Sequence, residues 1–318
     1  MKKGLIITAV MLILLGITLF AGAFAAAGFD FSKLGTMKFK AVTYSPEEDF
    51  KNIRISTGAG SITIKPANDG RVSAESFEGE RLKHSVSVEG DTLVIEQSDA
   101  RTWYDRISFF NPSPALTLCL PAGQYGSLYI ECDTGKTEIS DGFTFETLEI
   151  KGGTGDVYCG AGTTGGMKIA LSTGSISLNN CSAEKADLSA STGNISLYSF
   201  DCAGDISVTV STGRTTVDTA KCNSFYTNGS TGDVRLKDLF AADCFDIERS
   251  TGSVRFDNCD AAAITVKTST GSVTGTLASE KVFIASSSTG SVNVPKTASG
   301  GKCEITTSTG KIDISLLK

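Results

Sequence analysis

The stretch Ser172-Thr173-Gly174-Ser175-Ile176-Ser177-Leu178 decides the fold, because its Thr-Gly core returns on a fixed period to the end of the chain. The glycines are Gly135, Gly155, Gly174, Gly193, Gly213, Gly232, Gly252, Gly271, Gly290 and Gly310, spaced by only 19 or 20 residues. A fixed period of this length over ten copies marks a solenoid, in which each turn touches only its neighbours.

Positions are counted from each glycine. Seven and five residues before it stand Leu148 and Ile150, Ile206 and Val208, Phe245 and Ile247, or Ile264 and Val266, with polar residues such as Lys168, Asp187, Glu248 and Lys267 between. Two and four residues after it stand Ile176 and Leu178, Ile195 and Leu197, Val234 and Leu236, or Ile312 and Ile314. Alternation with period two predicts strands with one buried face on either side of the glycine. The inward parity is odd before the glycine and even after it. A corner must absorb that switch, and glycine tolerates the backbone it needs. The predicted corner residues include Thr173 and Gly174, Thr192 and Gly193, Thr231 and Gly232, Thr251 and Gly252, and Thr270 and Gly271.

A lone coil offers about six inward side chains at roughly 1.5–3 kcal/mol each. Ordering its backbone costs on the order of 1–2 kcal/mol for each of some twenty residues. Coils must therefore stack, and ten of them at about 4.8 Å make a rod roughly 45–50 Å long. The fold class is all-β: a parallel β-solenoid of about ten coils with an N-terminal β cap, preceded by one transmembrane helix. Parity places the recurrent threonine on the inner side of the corner, its hydroxyl bonded to neighbours or to turn backbone. An exposed threonine array able to bind ice or a crystalline polymer is the competing reading, which wants paired outward threonines on a flat strand.

The N-terminal Met1-Lys2-Lys3 precedes Gly4 to Gly28, which carry no charge. That run is long enough to cross a bilayer of about 30 Å as a helix. The leading lysines place the N-terminus in the cytoplasm and the repeats outside, on the cell membrane with a single pass. An uncleaved anchor and a cleaved signal, with Ala23-Phe24-Ala25 or Ala25-Ala26-Ala27 as its site, both export the repeats. The domain reading is 1–28 anchor or signal, 29–48 linker, 49–120 β-rich cap with an imperfect first repeat around Gly58, and 121–318 solenoid. Within the cap, Ser85-Val86-Ser87-Val88, the turn Glu89-Gly90-Asp91 and Leu93-Val94-Ile95 read as an antiparallel hairpin, and Leu116, Leu118 and Leu120 as a further strand. Trp103 and Tyr104 plug the end of the core or form an aromatic contact patch for glycan or membrane. The final Ile312-Asp313-Ile314-Ser315-Leu316-Leu317-Lys318 reads as the last coil, whose uncovered edge invites end-to-end self-association.

A net charge of −6 argues against nucleic acid as a partner. The nine cysteines form no CxxC and no metal spacing, so no metal or other cofactor is implied. Most fall where the pattern wants a small apolar residue, with Cys202 and Cys222 both nine after their glycines, and read as buried free thiols. Recovery of several disulfides would overturn that reading. The lone histidine, His84, is a poor candidate base in the irregular cap, and no paired outward carboxylates suit a glycosidase. The densest charged patch on the rod is Arg214, Asp233, Arg235 and Arg255, in outward columns of successive coils, where the arginines suit an anionic polymer such as a teichoic acid or a uronan. An ordinary solvated face is the alternative. Arg249 falls at an inward position after Gly229, so it either exits past that glycine or the register slips.

The apolar N-terminal segment, "FDFSKL" at 29–34, "FKNIRISTGAGSITI" at 50–64 and the serial STG motif resemble a bacterial membrane-anchored, adhesin-like family of β-strand-repeat proteins, a domain of unknown function. The resemblance implies a membrane-tethered β-solenoid and carries no catalytic residues. The reading is a non-enzymatic cell-surface solenoid that serves as an adhesin or interaction platform for a surface polymer or protein. The alternatives are an accessory protein of cell-envelope stress signalling and a polysaccharide-active β-helix enzyme.

Overall fold

The computed structural model describes residues 2–26, 28–29, 39–101 and 114–317. An exposed apolar helix, Lys2–Ala26, precedes an all-β body that winds as a parallel β-solenoid of about ten turns. The register runs unbroken along the position five before each glycine: Ile169, Leu188, Val208, Thr227, Ile247 and Val266 pair in turn. A second ladder joins Ile176, Ile195, Thr215, Val234 and Val254 two after the glycine. These two columns and their alternate neighbours fill the interior, with Ile169, Leu188, Ile195, Ile247 and Val254 fully buried.

The segment after each second strand is a short third side of the coil. Ala183 pairs with Cys202, and Cys222 with Ala241, which in turn pairs with Ala261. It turns away from the second strand at a corner six residues after the glycine. There Asn180, Ser199, Thr219, Asp238 and Asn258 all hold positive φ between 48° and 65°. Asn and Asp tolerate this left-handed conformation, whereas β-branched Thr219 is strained in it.

The Thr-Gly corner holds φ of +139° at Gly174, and a Cβ there would stand 1.9 Å from the carbonyl oxygen of Gly155 in the coil before. Only glycine lets consecutive backbones approach so closely. The corner amide still pairs between coils, Gly174 N donating to Thr192 O at 2.8 Å and Gly193 N to Thr212 O at 2.9 Å. The parity switch is absorbed by two successive outward residues. That corrects the placement of the recurrent threonine: Thr173, Thr192, Thr231, Thr251 and Thr270 are all exposed, as is the serine before each of them. Two side chains in sequence cannot both turn inward beside a glycine whose own inner face is filled by backbone.

Coils at both ends are stacked out of chain order. At the head, Asn52–Thr57 lies between Thr92–Asp99 and Gly123–Thr134, so the imperfect first repeat is internal. Antiparallel strands close this end: Ser73–Gly79 on Ala115–Leu120, Phe39–Tyr44 on Ser73–Gly79, and Leu82–Glu89 on Thr92–Asp99. The last pair is the hairpin read from the sequence. At the tail, Gly301–Thr309 pairs on one side with the Ile264–Thr270 segment and on the other with Lys281–Thr289. Ile312–Leu316 is likewise flanked by Val273–Leu277 and Val292–Asn293. The final coil is therefore inserted beneath the penultimate one, and among the described residues the free edge expected at Ile312–Lys318 belongs instead to Lys281–Thr289 and Val292–Asn293.

Candidate functional site

In several coils the first outward position after the glycine ties coil to coil. Asp156 Oδ1 accepts from Ser175 N at 2.8 Å, Asn194 Oδ1 from Arg214 N at 2.9 Å, and Asp233 Oδ1 from Ser253 N at 3.0 Å. Asp233 is thus a structural clip as well as a member of the charged patch. Its other oxygen lies 3.9 Å from Arg235 Nη2.

Arg235 and Arg255 are direct neighbours in adjacent coils, both exposed, above buried Leu236 and Phe256. They line an open groove of about 560 Å³ together with Asp233, Ser253, Lys311 and Asp313. Lys311 pairs with Asp313 at 3.4 Å, while Arg255 makes no ion pair among the described residues. Arg214 stays outside this groove, one coil earlier and exposed. Lys311 and Asp313 were not legible as members. Chain order would bring Ser291 and Asn293 here, and only the inserted last coil puts Lys311 beside Ser272. The arrangement sets two exposed arginines on neighbouring strands, a donor set suited to bidentate recognition of carboxylate or phosphate.

Arg249 resolves differently from either expectation. The register through Gly229, Arg249 and Thr268 is unbroken, and Arg249 is only 4% exposed. Its guanidinium occupies the space that Gly229 leaves empty, with Nη1 3.0 Å from where a Cβ of Gly229 would stand. Nη2 donates to Thr215 Oγ1 at 2.9 Å and Thr227 Oγ1 at 2.8 Å, and Nη1 to Glu248 O at 2.9 Å. Burial pulls its pKa down to about 10, so it remains a cation at neutral pH.

In the cap, His84 is 5% exposed. Its Nδ1 lies 2.5 Å from Ser76 Oγ and 3.6 Å from Glu78 Oε1, and its Nε2 lies 3.2 Å from Gln97 Nε2. Gln97 Nε2 also donates to Ala59 O at 2.7 Å while its Oε1 accepts from Ala59 N, which makes the amide a donor toward the imidazole. Serine and glutamate address the same ring nitrogen, whereas a nucleophile triad uses both nitrogens, one for each partner. With Ser76 and Glu78 also buried, the group is a structural network.

All nine cysteines are unpaired, and seven are buried. Burial pushes the Cys222 and Cys303 thiols up to about 12 and Cys259 to about 11, which keeps them protonated and poorly reactive. No group of three or more His, Cys, Asp or Glu suited to a metal ion occurs among the described residues. Trp103 and Tyr104 lie outside the described residues.

Among solved structures the chain is similar to a "putative adhesin" from Parabacteroides distasonis, at 13% identity and a TM-score of 0.48, covering 76% of this chain and 98% of that one. A second "putative adhesin", from Parabacteroides merdae, is 12% identical with a TM-score of 0.48 over 77% and 98% of the two chains. A third, from Bacteroides fragilis, is 14% identical with a TM-score of 0.42 over 87% and 97%. No curated protein matches the sequence. The family model Toastrack DUF4097 matches residues 50–209 and 201–318, nearly all of the β body, and on that match the chain belongs to the Toastrack DUF4097 family.

Proposed function

We propose that this protein is a membrane-tethered, non-enzymatic β-solenoid whose outer wall docks an anionic surface polymer. The helix Lys2–Ala26 is long and apolar enough to cross a membrane. With Lys2 and Lys3 ahead of the apolar span Gly4–Ala26, the single-pass orientation leaves the solenoid on the extracytoplasmic side. The observation that carries the reading is the stacked pair Arg235 and Arg255, with Lys311 farther along the same groove and Arg255 unpaired. Charges repeated along the rod axis match a polymer that repeats its own carboxylates or phosphates, and the exposed Ser-Thr columns supply hydroxyl donors at the neighbouring corner. The interior is closed by packed apolar side chains, so docking is confined to the wall.

The test is fluorescence polarisation of the full-length protein in detergent with labelled polygalacturonate, polyglycerol phosphate and neutral dextran. Binding is expected for one or both polyanions, to weaken with added salt, and to weaken at least about tenfold in Arg255→Glu. The two polyanions separate carboxylate from phosphate preference. Equal binding of dextran, or unchanged binding in the variant, would overturn the polyanion reading. Shortening of the bound polymer would overturn the non-enzymatic one.

A further inference from the structure

The tail of the rod is built unlike the rest. Lys281–Thr289 pairs with Gly301–Thr309 on one side only, and no strand lies on its other side among the described residues. Its outward positions carry Val282 and Ile284, exposed at 39% and 53%. In the adjoining coil those positions hold Lys302 and Glu304, which pair with each other at 2.6 Å. Its inward residues Phe283 and Ala285 are only half-buried, whereas Cys303 and Ile305 beside them are fully buried. The stretch Val282–Ser288 contains no charge and no proline. Free strand edges are normally guarded by lysine, proline, bulges or brevity. The companion edge Val292–Asn293 is guarded: it is two residues long and is followed by Pro295. At the head, antiparallel strands cover the first coils, and their own outer edges carry Lys40 and Lys83.

We infer that two copies of this chain join tail to tail, edge strand Lys281–Thr289 pairing antiparallel with its own copy. A two-fold axis at Ile284 sets Ile284 against Ile284 and Val282 against Ser286 on the outer face, and Phe283 against Ala285 on the inner face. Apolar residues then meet apolar or small ones on both faces, and no like charges oppose each other. Each open core end is covered by the other. The contact is isologous, so it closes as a dimer and does not propagate into a fibre. A head-to-tail stack would need an unguarded edge at the head, where the cap strands sit.

The two heads then point in opposite directions. On the anchored reading above, each head lies against its own membrane, and the dimer spans two facing surfaces. This makes the adhesive partner a second copy of the same chain. Pairing itself is independent of polymer docking.

The experiment uses the full-length chain in lipid nanodiscs at one copy per disc, examined by mass photometry and negative-stain microscopy across a concentration series. Disc pairs joined through a common rod are expected in the wild type. Ile284→Lys should weaken pairing at least tenfold while leaving the circular-dichroism melting curve unchanged, because the side chain is exposed. Single discs throughout the series, or pairing unaffected by Ile284→Lys, would overturn the inference. Arg255→Glu should leave disc pairing intact, so loss of polymer docking and loss of pairing are read separately.

Discussion

At Gly232 the backbone φ is +133°, and a Cβ would stand 2.0 Å from the carbonyl oxygen of Gly213. Gly232→Val therefore combines a conformation open essentially to glycine with a clash against backbone that cannot yield. We expect a loss of at least about 3 kcal/mol, read by chemical denaturation, with the break localised to the adjoining coils. Thr251, one residue before the next corner glycine, is exposed, so Thr251→Ala should change stability by no more than about 0.5 kcal/mol in the same assay. A large effect at Thr251 would restore an inward role for the threonine. The Gly229–Arg249 pair shows the same constraint used in reverse: a missing side chain in one coil houses a guanidinium from the next.

Among the elements, the cap strands carry the pH-sensitive group. Burial holds the pKa of His84 below its ordinary 6.5, while Glu78 on Ser73–Gly79 opposes that shift. Tyr44 on Phe39–Tyr44 also bonds Glu78, at 2.9 Å, and its phenol is pushed up to about 12, so it stays neutral across the range concerned. The amide of Gln97 on Thr92–Asp99 presents a donor to Nε2, which suits the neutral imidazole and opposes the protonated one. A folded-state pKa below the unfolded value means that the unfolded chain binds the proton first. Stability should be full above pH 6.5 and fall as the pH drops below it toward the folded-state pKa, by at most about 1.4 kcal/mol per pH unit from this group. Thermal melts from pH 8 to pH 5 should show that slope for the wild type and a flatter one for His84→Gln. An unchanged slope in the variant would assign the acid sensitivity to other groups.

For the molecule as a whole, the inserted last coil makes residues 301–316 an internal layer, one coil from the edge. Removing residues 301–318 takes away the only strand paired with Lys281–Thr289 among the described residues. Amides of Val282–Ser288 should then lose protection in hydrogen exchange, while those near Ile247 keep theirs, because a solenoid loses stability coil by coil. Retained protection at Val282–Ser288 would mean that the penultimate coil reseats on the Ile264–Thr270 strand in chain order. The same insertion assembles the basic groove, since it sets Lys311 and Asp313 beside the arginine-bearing coils.

What the one-dimensional pattern settles here is whatever repeats. Period two around a glycine every 19 or 20 residues specifies the strands, the corner, the inward columns and the cysteines that substitute for small apolar residues. The apolar segment ahead of the repeats is equally plain, because its length and lack of charge are properties of composition. Tertiary packing alone decided the features that rest on which coil lies against which. The threonines face outward because the stacked glycine carbonyls leave no room inside the corner. Arg249 stays in the core because Gly229 lies over it in the adjacent coil. The order of the last two coils is hidden because all coils share one repeat and pair equally well by backbone, so local pattern does not distinguish a neighbour in sequence from a neighbour in space. The free edge at Lys281–Thr289, and with it the pairing surface proposed there, follows from that order.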